Sequence, residues 1–168
     1  MAQVHEKLVE EWFRRKGYFT IRGAKAKGSG NSEIDLLALR NNLDGSSCYR
    51  HIEVQISFRP IGNISLNSRT KTSTAKKRTK KELEEDVPFW IEKKFKSKAA
   101  TNIRNSFVQS KVKWIFSLVH HIVKDKVELD ILKNFGIELI PFSKIMSELK
   151  AVDKRSSDAK DEVELLNR

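Results

Sequence analysis

Residues 34–55 have the sequence IDLLALRNNLDGSSCYRHIEVQ, in which two largely apolar runs flank a polar turn. Asp44-Gly45, in the middle of the turn, is typical of the reversal in a β-hairpin. Apolar and polar residues alternate along the second run, as they do in a strand with two different faces. We therefore predict a hairpin of two antiparallel strands, 34–39 and 49–58, and this hairpin determines the fold.

The periodicity of the flanking sequence predicts the remaining elements. These are a helix over 3–16, a strand over 18–21, a basic loop over 23–32, a charged helix over 76–85, a second helix beginning at Asp86 with Pro88 in its first turn, a buried strand over 113–123, a helix over 125–135, a strand over 136–142 and a final helix to about Lys150. The pattern predicts one α/β domain over 1–150, with a mixed central sheet (a hairpin meander plus a parallel strand) flanked by helices. Residues 151–168 are predicted to form a polar tail.

Asp35 and Glu53 are equidistant from position 44, so the hairpin register places them opposite each other on one face. Gln55, two residues after Glu53, falls on that face as well. Adjacent like charges destabilise a strand pair unless a cation neutralises them, and carboxylate oxygens favour Mg²⁺ or Mn²⁺. The sequence thus predicts a metal site here. The alternative is a pair of edge carboxylates that face solvent.

The number and distribution of charged side chains predict the class of molecule that the protein binds. Lys and Arg number 33 against 22 Asp and Glu, a formal net charge of +11, and residues 46–81 hold nine basic side chains and a single acid, Glu53. A concentrated basic segment predicts contact with a nucleic acid, either DNA or RNA. No apolar run is long enough to cross a membrane, and charges from Glu6 onward argue against a signal peptide. The lone Cys48 predicts a reducing, cytoplasmic location.

Three segments together resemble a known family: EKLVEEWFRRKGY over 6–18, GSGNSEIDLLA over 28–38 and HIEVQ over 51–55. Their order and spacing resemble those of the PD-(D/E)XK nuclease superfamily, which includes the Holliday-junction resolvases. The resemblance implies a restriction-endonuclease-like core and metal-dependent hydrolysis of DNA. It also implies a homodimer that binds double-stranded or branched DNA.

The resemblance also implies roles for individual residues. Asp35, Glu53 and the backbone carbonyl of Val54 would bind Mg²⁺, with Mn²⁺ as a substitute, and Glu6 would reach the site from the first helix. Gln55 departs from the family, which usually has lysine at this position. Glutamine orients water and phosphate by hydrogen bonds only, whereas lysine also supplies a positive charge.

Basic residues form the candidate DNA-binding set: Lys25, Lys27, Arg59, Arg69, Lys71, Lys76, Lys77 and Arg78. For the two loop lysines, a solvated linker is the alternative to a phosphate clamp, and for the later run it is a solvated helix face. His51 flanks the site, and we expect it to titrate near neutrality. Of His120 and His121, we expect one to be buried and one exposed.

The sequence therefore predicts a Mg²⁺-dependent endonuclease acting on DNA in recombination, repair or mobile-element biology, with Glu6, Asp35, Glu53 and Gln55 as catalytic residues. The alternative is a non-catalytic nucleic-acid-binding module on a degenerate nuclease scaffold, which the missing lysine favours. A third interpretation, a basic protein-interaction factor, predicts that neither DNA nor RNA binds at low salt.

Overall fold

The computed structural model describes residues 2–27, 32–56, 78–108, 111–123 and 126–151. The helices are α1 (Ala2–Arg15), α2 (Lys80–Ile91), α3 (Lys98–Phe107), α4 (Lys126–Asn134) and α5 (142–151), and a π-helical turn (Glu92–Lys96) joins α2 to α3. The strands are β1 (Phe19–Ala24), β2 (Ile34–Asn41), β3 (Ser47–Gln55), β4 (Trp114–His120) and β5 (Glu138–Pro141). None of the helices in these ranges combines the length and apolar character needed to cross a bilayer.

The five strands form one sheet in the order β1-β2-β3-β4-β5. The first three strands are antiparallel neighbours, while β4 and β5 run parallel to β3. This mixed sheet with flanking helices confirms the predicted α/β class. Leu36 pairs with Ile52, and the same register carried one position further places Asp35 opposite Glu53, as predicted.

Both faces of the sheet are covered. On one face, α1 and α5 pack against a cluster that includes Leu36, Ile52 and Ile145. On the other face, α2, the π-helical turn and α4 pack around Leu118, and α3 contributes Ile103. Because Glu53 is the register partner of Leu118, it lies on this second face, beneath helices and away from solvent.

The prediction of a new helix at Asp86 is wrong, because α2 runs unbroken to Ile91 and contains Pro88. Pro88 cannot donate a backbone hydrogen bond, which normally disfavours a helix interior. The N-terminus of α2 compensates with a capping box, in which Thr79 and Glu82 satisfy each other's backbone N–H groups. The buried side chains of α2 add packing energy: Leu83, Val87, Trp90 and Ile91.

Arg78 is placed differently from the DNA-contacting role predicted for it. Its guanidinium lies 2.6 Å from Asp86 of α2 and 3.1 Å from Glu128 of α4, with only 9% of the side chain exposed. Glu128 is itself fully buried. Arg78 therefore ties two helices together, and its charge is already satisfied by carboxylates.

We predict that Arg78→Met lowers the free energy of unfolding by about 3–5 kcal/mol, because it leaves a buried carboxylate without its cation. Lys80→Met is the matched control. Lys80 pairs with Glu84 at an exposed site, so its loss should cost less than about 1 kcal/mol. Urea titrations of both variants measure the difference, and equal costs would contradict the structural role of Arg78.

Candidate functional site

Asp35 and Glu53 form the centre of the candidate site. Glu53 is 1% exposed, and Asp35 is partly buried at the start of β2. One Asp35 oxygen, Oδ2, accepts a hydrogen bond of 2.7 Å from the backbone N–H of Val54. The cross-strand pair is thus fixed by the sheet and by this bond, and the solvent-facing alternative is wrong for Glu53.

Lys94, in the π-helical turn, supplies a positive charge to this pair. Its Nζ lies 2.6 Å from Oε2 of Glu53, and the next residue, Phe95, is buried against the ring of His51. Lys94 could not be recognised from the sequence. It lies in the run Glu92-Lys-Lys-Phe-Lys96, where no periodicity distinguishes the inward lysine from its neighbours.

His51 lies on the same face of β3 as Glu53 and is fully buried. Its Nε2 is 3.1 Å from Oε1 of Glu53, and its Nδ1 is 2.9 Å from Nη1 of Arg104 in α3. Burial, with a further contribution from the charges of Arg104 and Lys94, lowers the pKa of His51 well below its usual value. The expectation that His51 titrates near neutrality is therefore wrong.

The ionised forms of the Asp35 and Glu53 carboxyl groups are disfavoured in the folded protein. Burial, and then the charge of Glu53, raises the pKa of Asp35 to about 6 despite the opposing bond from Val54 and the charge of Lys94. Burial also raises the pKa of Glu53, although Lys94 opposes it. Burial alone would lower the pKa of Lys94, but its contact with Glu53 leaves that pKa raised. The site therefore holds more negative charge than its own cations fully stabilise.

These groups fit a hard divalent cation. The donors are carboxylate oxygens, buried on Glu53 and partly buried on Asp35, and burial raises the pKa of both, so a nearby positive charge would favour their ionised forms. Burial and then Asp35 raise the pKa of Glu6, so Glu6 lies within electrostatic reach from α1. Within the described ranges, however, no three His, Cys, Asp or Glu side chains are close enough together to hold one ion. The structure brings Asp35 and Glu53 together and leaves Glu6 at the periphery.

Gln55 lies at the end of β3, where its register partner in the parallel strand is His120. Nδ1 of His120 donates a hydrogen bond of 2.8 Å to the backbone carbonyl of His121. His120 is buried, as expected for one of the two histidines, whereas His121 is half-buried and not exposed. The partner of Gln55 could not be recognised from sequence, because it depends on the parallel register.

A cavity of about 340 Å³ opens beside Asp35. Glu33, Lys93, Lys94 and Ser97 line it together with Asp35. Of the predicted DNA-binding residues, Lys25 pairs with Glu33 at 2.8 Å on the surface, and Lys27 is exposed. The other predicted contacts, Arg59, Arg69, Lys71, Lys76 and Lys77, lie outside the described residues, as does the tail after residue 151.

Comparison with known proteins adds little to this picture. No family model matches the chain, and no curated protein matches it. Among solved structures, a protein described as being of unknown function, AF1548, is similar with a TM-score of 0.46 and 13% sequence identity. The match covers 83% of this chain and 58% of that one.

The raised pKa of Asp35 predicts a specific pH dependence of stability. Its folded pKa of about 6 lies above the ordinary value of 3.8, so ionisation costs stability as pH rises through roughly 4 to 6. Asp35→Asn keeps an acceptor for the N–H of Val54 and removes the charge. We expect this variant to be more stable than the wild type by about 1–3 kcal/mol at pH 7.5 and to lose the advantage below pH 4.

Asp44→Asn serves as the control, because the pKa of Asp44 is shifted in the opposite direction to that of Asp35. Hydrogen bonds from Ser46 lower the pKa of Asp44, so its ionised form is favoured and its removal should not stabilise the protein at pH 7.5. Chemical denaturation at pH 4, 6 and 7.5 measures both variants. No gain for Asp35→Asn at pH 7.5 would contradict the electrostatic account of the site.

Proposed function

We propose that the protein is a Mg²⁺-dependent DNA endonuclease with a restriction-endonuclease-like core. The observation that carries the proposal is the adjacent pair of buried Glu53 and partly buried Asp35, with Lys94 contacting Glu53 and with Asp35 and Lys94 lining a cavity. Burying two like charges is costly, and a structural protein would gain more from apolar residues at these positions. Such clusters are typical of functional sites.

In this proposal Asp35, Glu53 and the carbonyl of Val54 would hold Mg²⁺, and Glu6 would contribute from α1. The bound ion would supply a water of lowered pKa and a positive charge against the scissile phosphate. The side chains provide position: the Val54 N–H fixes Asp35, and the sheet register holds Glu53 beside it.

Lys94 takes the role that the family usually gives to the lysine replaced here by Gln55. Its ammonium already contacts Glu53 and lines the cavity in which a phosphate would lie. An ammonium donates three hydrogen bonds and carries full charge, so it can stabilise the negative charge that develops on the phosphate. Gln55 would orient water or phosphate by hydrogen bonding. A lysine from a different element can thus compensate for the glutamine.

The substrate and setting follow from charge and from the family resemblance. Lys25 and Lys27 lie in the segment that precedes Asp35, and we propose that they contact the DNA backbone without reading bases. We further propose that the substrate is double-stranded or branched DNA. The protein would act as a homodimer in the cytoplasm. A role in recombination or repair fits a nuclease that recognises DNA shape.

The test is a nicking assay on supercoiled, linear and four-way-junction DNA with Mn²⁺ and then Mg²⁺. We expect nicking by the wild type and its loss in Glu53→Ala. Lys94→Met should lower kcat by about 10²–10³-fold, because it removes charge stabilisation in the transition state. Lys93→Met is the matched control, since it removes a neighbouring lysine of the same cavity and should affect mainly binding. Adding Gln55→Lys to Lys94→Met should restore part of the activity.

The assay also separates the rival interpretations. DNA binding that weakens steeply with salt, without turnover under either metal, would favour the non-catalytic binding module. Equal cutting of linear and four-way DNA would remove branched DNA as the preferred substrate. Nicking that persists in Glu53→Ala would contradict the proposed site.

A further inference from the structure

Both oxygens of Glu53 are engaged, and by different kinds of group. Lys94 contacts Oε2, and the ring of His51 contacts Oε1. His51 has no solvent exposure, so a proton on either ring nitrogen must find its acceptor within the protein. The two oxygens of the Glu53 carboxylate therefore have chemically different partners.

The hydrogen-bond partners determine the tautomer of His51. Arg104 contacts Nδ1 at 2.9 Å, and a guanidinium can only donate hydrogen bonds. Nδ1 must therefore be the acceptor, and the ring proton must lie on Nε2, from which it is donated to Oε1 of Glu53. His51 is neutral in this arrangement, in agreement with its complete burial.

Arg104 is fixed in turn by the π-helical turn and by its own helix. Its Nη1 also donates to the carbonyl of Phe95 at 2.6 Å, and its Nη2 donates to Oγ1 of Thr101 at 3.1 Å. Phe95 directly follows Lys94. Hydrogen bonds therefore connect Glu53 to His51, His51 to Arg104 and Arg104 to Phe95. The peptide bond to Lys94 and the contact of Lys94 with Glu53 close the ring.

We propose that His51 and Arg104 are positioning residues. They hold Oε1 of Glu53 and so direct Oε2 towards the position at which a metal ion would bind. This inference rests on the proposed function, since it concerns how Glu53 is presented to a metal ion. The terminal torsion of a glutamate is soft, so an unrestrained carboxylate would rotate. The Nε2–H of His51 holds the Glu53 carboxylate in one orientation. The contacts through Arg104 and Phe95 also fix the position of Lys94 relative to Glu53. Partners of this kind behind a metal ligand commonly affect metal affinity by about 10–100-fold.

The test compares His51→Gln with His51→Phe. An amide offers one acceptor and one donor and can replace both ring contacts, whereas phenylalanine fills the space without either. By calorimetric titration of Mn²⁺ at pH 7.5, we expect His51→Gln to stay within about 3-fold of the wild type and His51→Phe to bind about 10–100-fold more weakly. His121→Phe, which alters a histidine packed against Phe142, should bind like the wild type.

A second readout needs no metal. Nitrogen-15 NMR of the histidine rings in the metal-free wild-type protein should show His51 protonated at Nε2 and unprotonated at Nδ1. A ring protonated at Nδ1 would overturn the proposal even if His51→Phe failed to fold. Equal Mn²⁺ affinity of folded His51→Phe and wild type would overturn it while leaving the proposed function intact. Failure of the wild type itself to bind Mn²⁺ would contradict the proposed function and, with it, the role given to His51.

Discussion

The placement of two neighbouring carboxylates side by side and out of water is the constraint on which the rest of the site depends. The hydrophobic faces of β2 and β3 fix their register, because a slip of one residue would move Leu36 and Ile52 out of the core. That register leaves Asp35 and Glu53 opposite each other under covering helices. Each further feature of the site reduces the cost of this pair: the Val54 N–H, the Lys94 ammonium and the His51 ring.

These contacts do not fully offset the cost of the pair, because the pKa values of both carboxyl groups remain raised. Lys94 and Arg104 bring two positive charges, but Lys94 contacts Glu53 directly and Arg104 reaches it only through His51. Among the residues that the structure describes, the hydrogen-bond donor to Asp35 is the neutral N–H of Val54, and burial followed by the charge of Glu53 raises the pKa of Asp35 to about 6. A site in which one carboxylate contacts an ammonium, its neighbour has a neutral donor and both pKa values are raised is suited to accept a further cation. We regard this asymmetry as the physical basis of the proposed metal chemistry.

The sequence was sufficient for the elements whose signals are local. The hairpin register followed from turn chemistry and alternation, and with it the juxtaposition of Asp35 and Glu53. The sequence did not reveal Lys94 or Arg104, because their approach to β3 depends on a π-helical turn that has no sequence signature here. Their positions depend on tertiary packing around Phe95. The predicted helix boundary at Asp86 is wrong for a related reason, since packing and capping of α2 outweigh the local preference of Pro88. Alternation along β3 could have identified His51 as the neighbour of Glu53.

The most direct test of the central claim is a crystal of the wild-type protein soaked in Mn²⁺ and measured for anomalous scattering. The account predicts one strong peak within bonding distance of carboxylate oxygens from both Asp35 and Glu53, with Lys94 displaced from Oε2. A peak bound elsewhere, or an unchanged Lys94–Glu53 contact with no peak at saturating Mn²⁺, would contradict it.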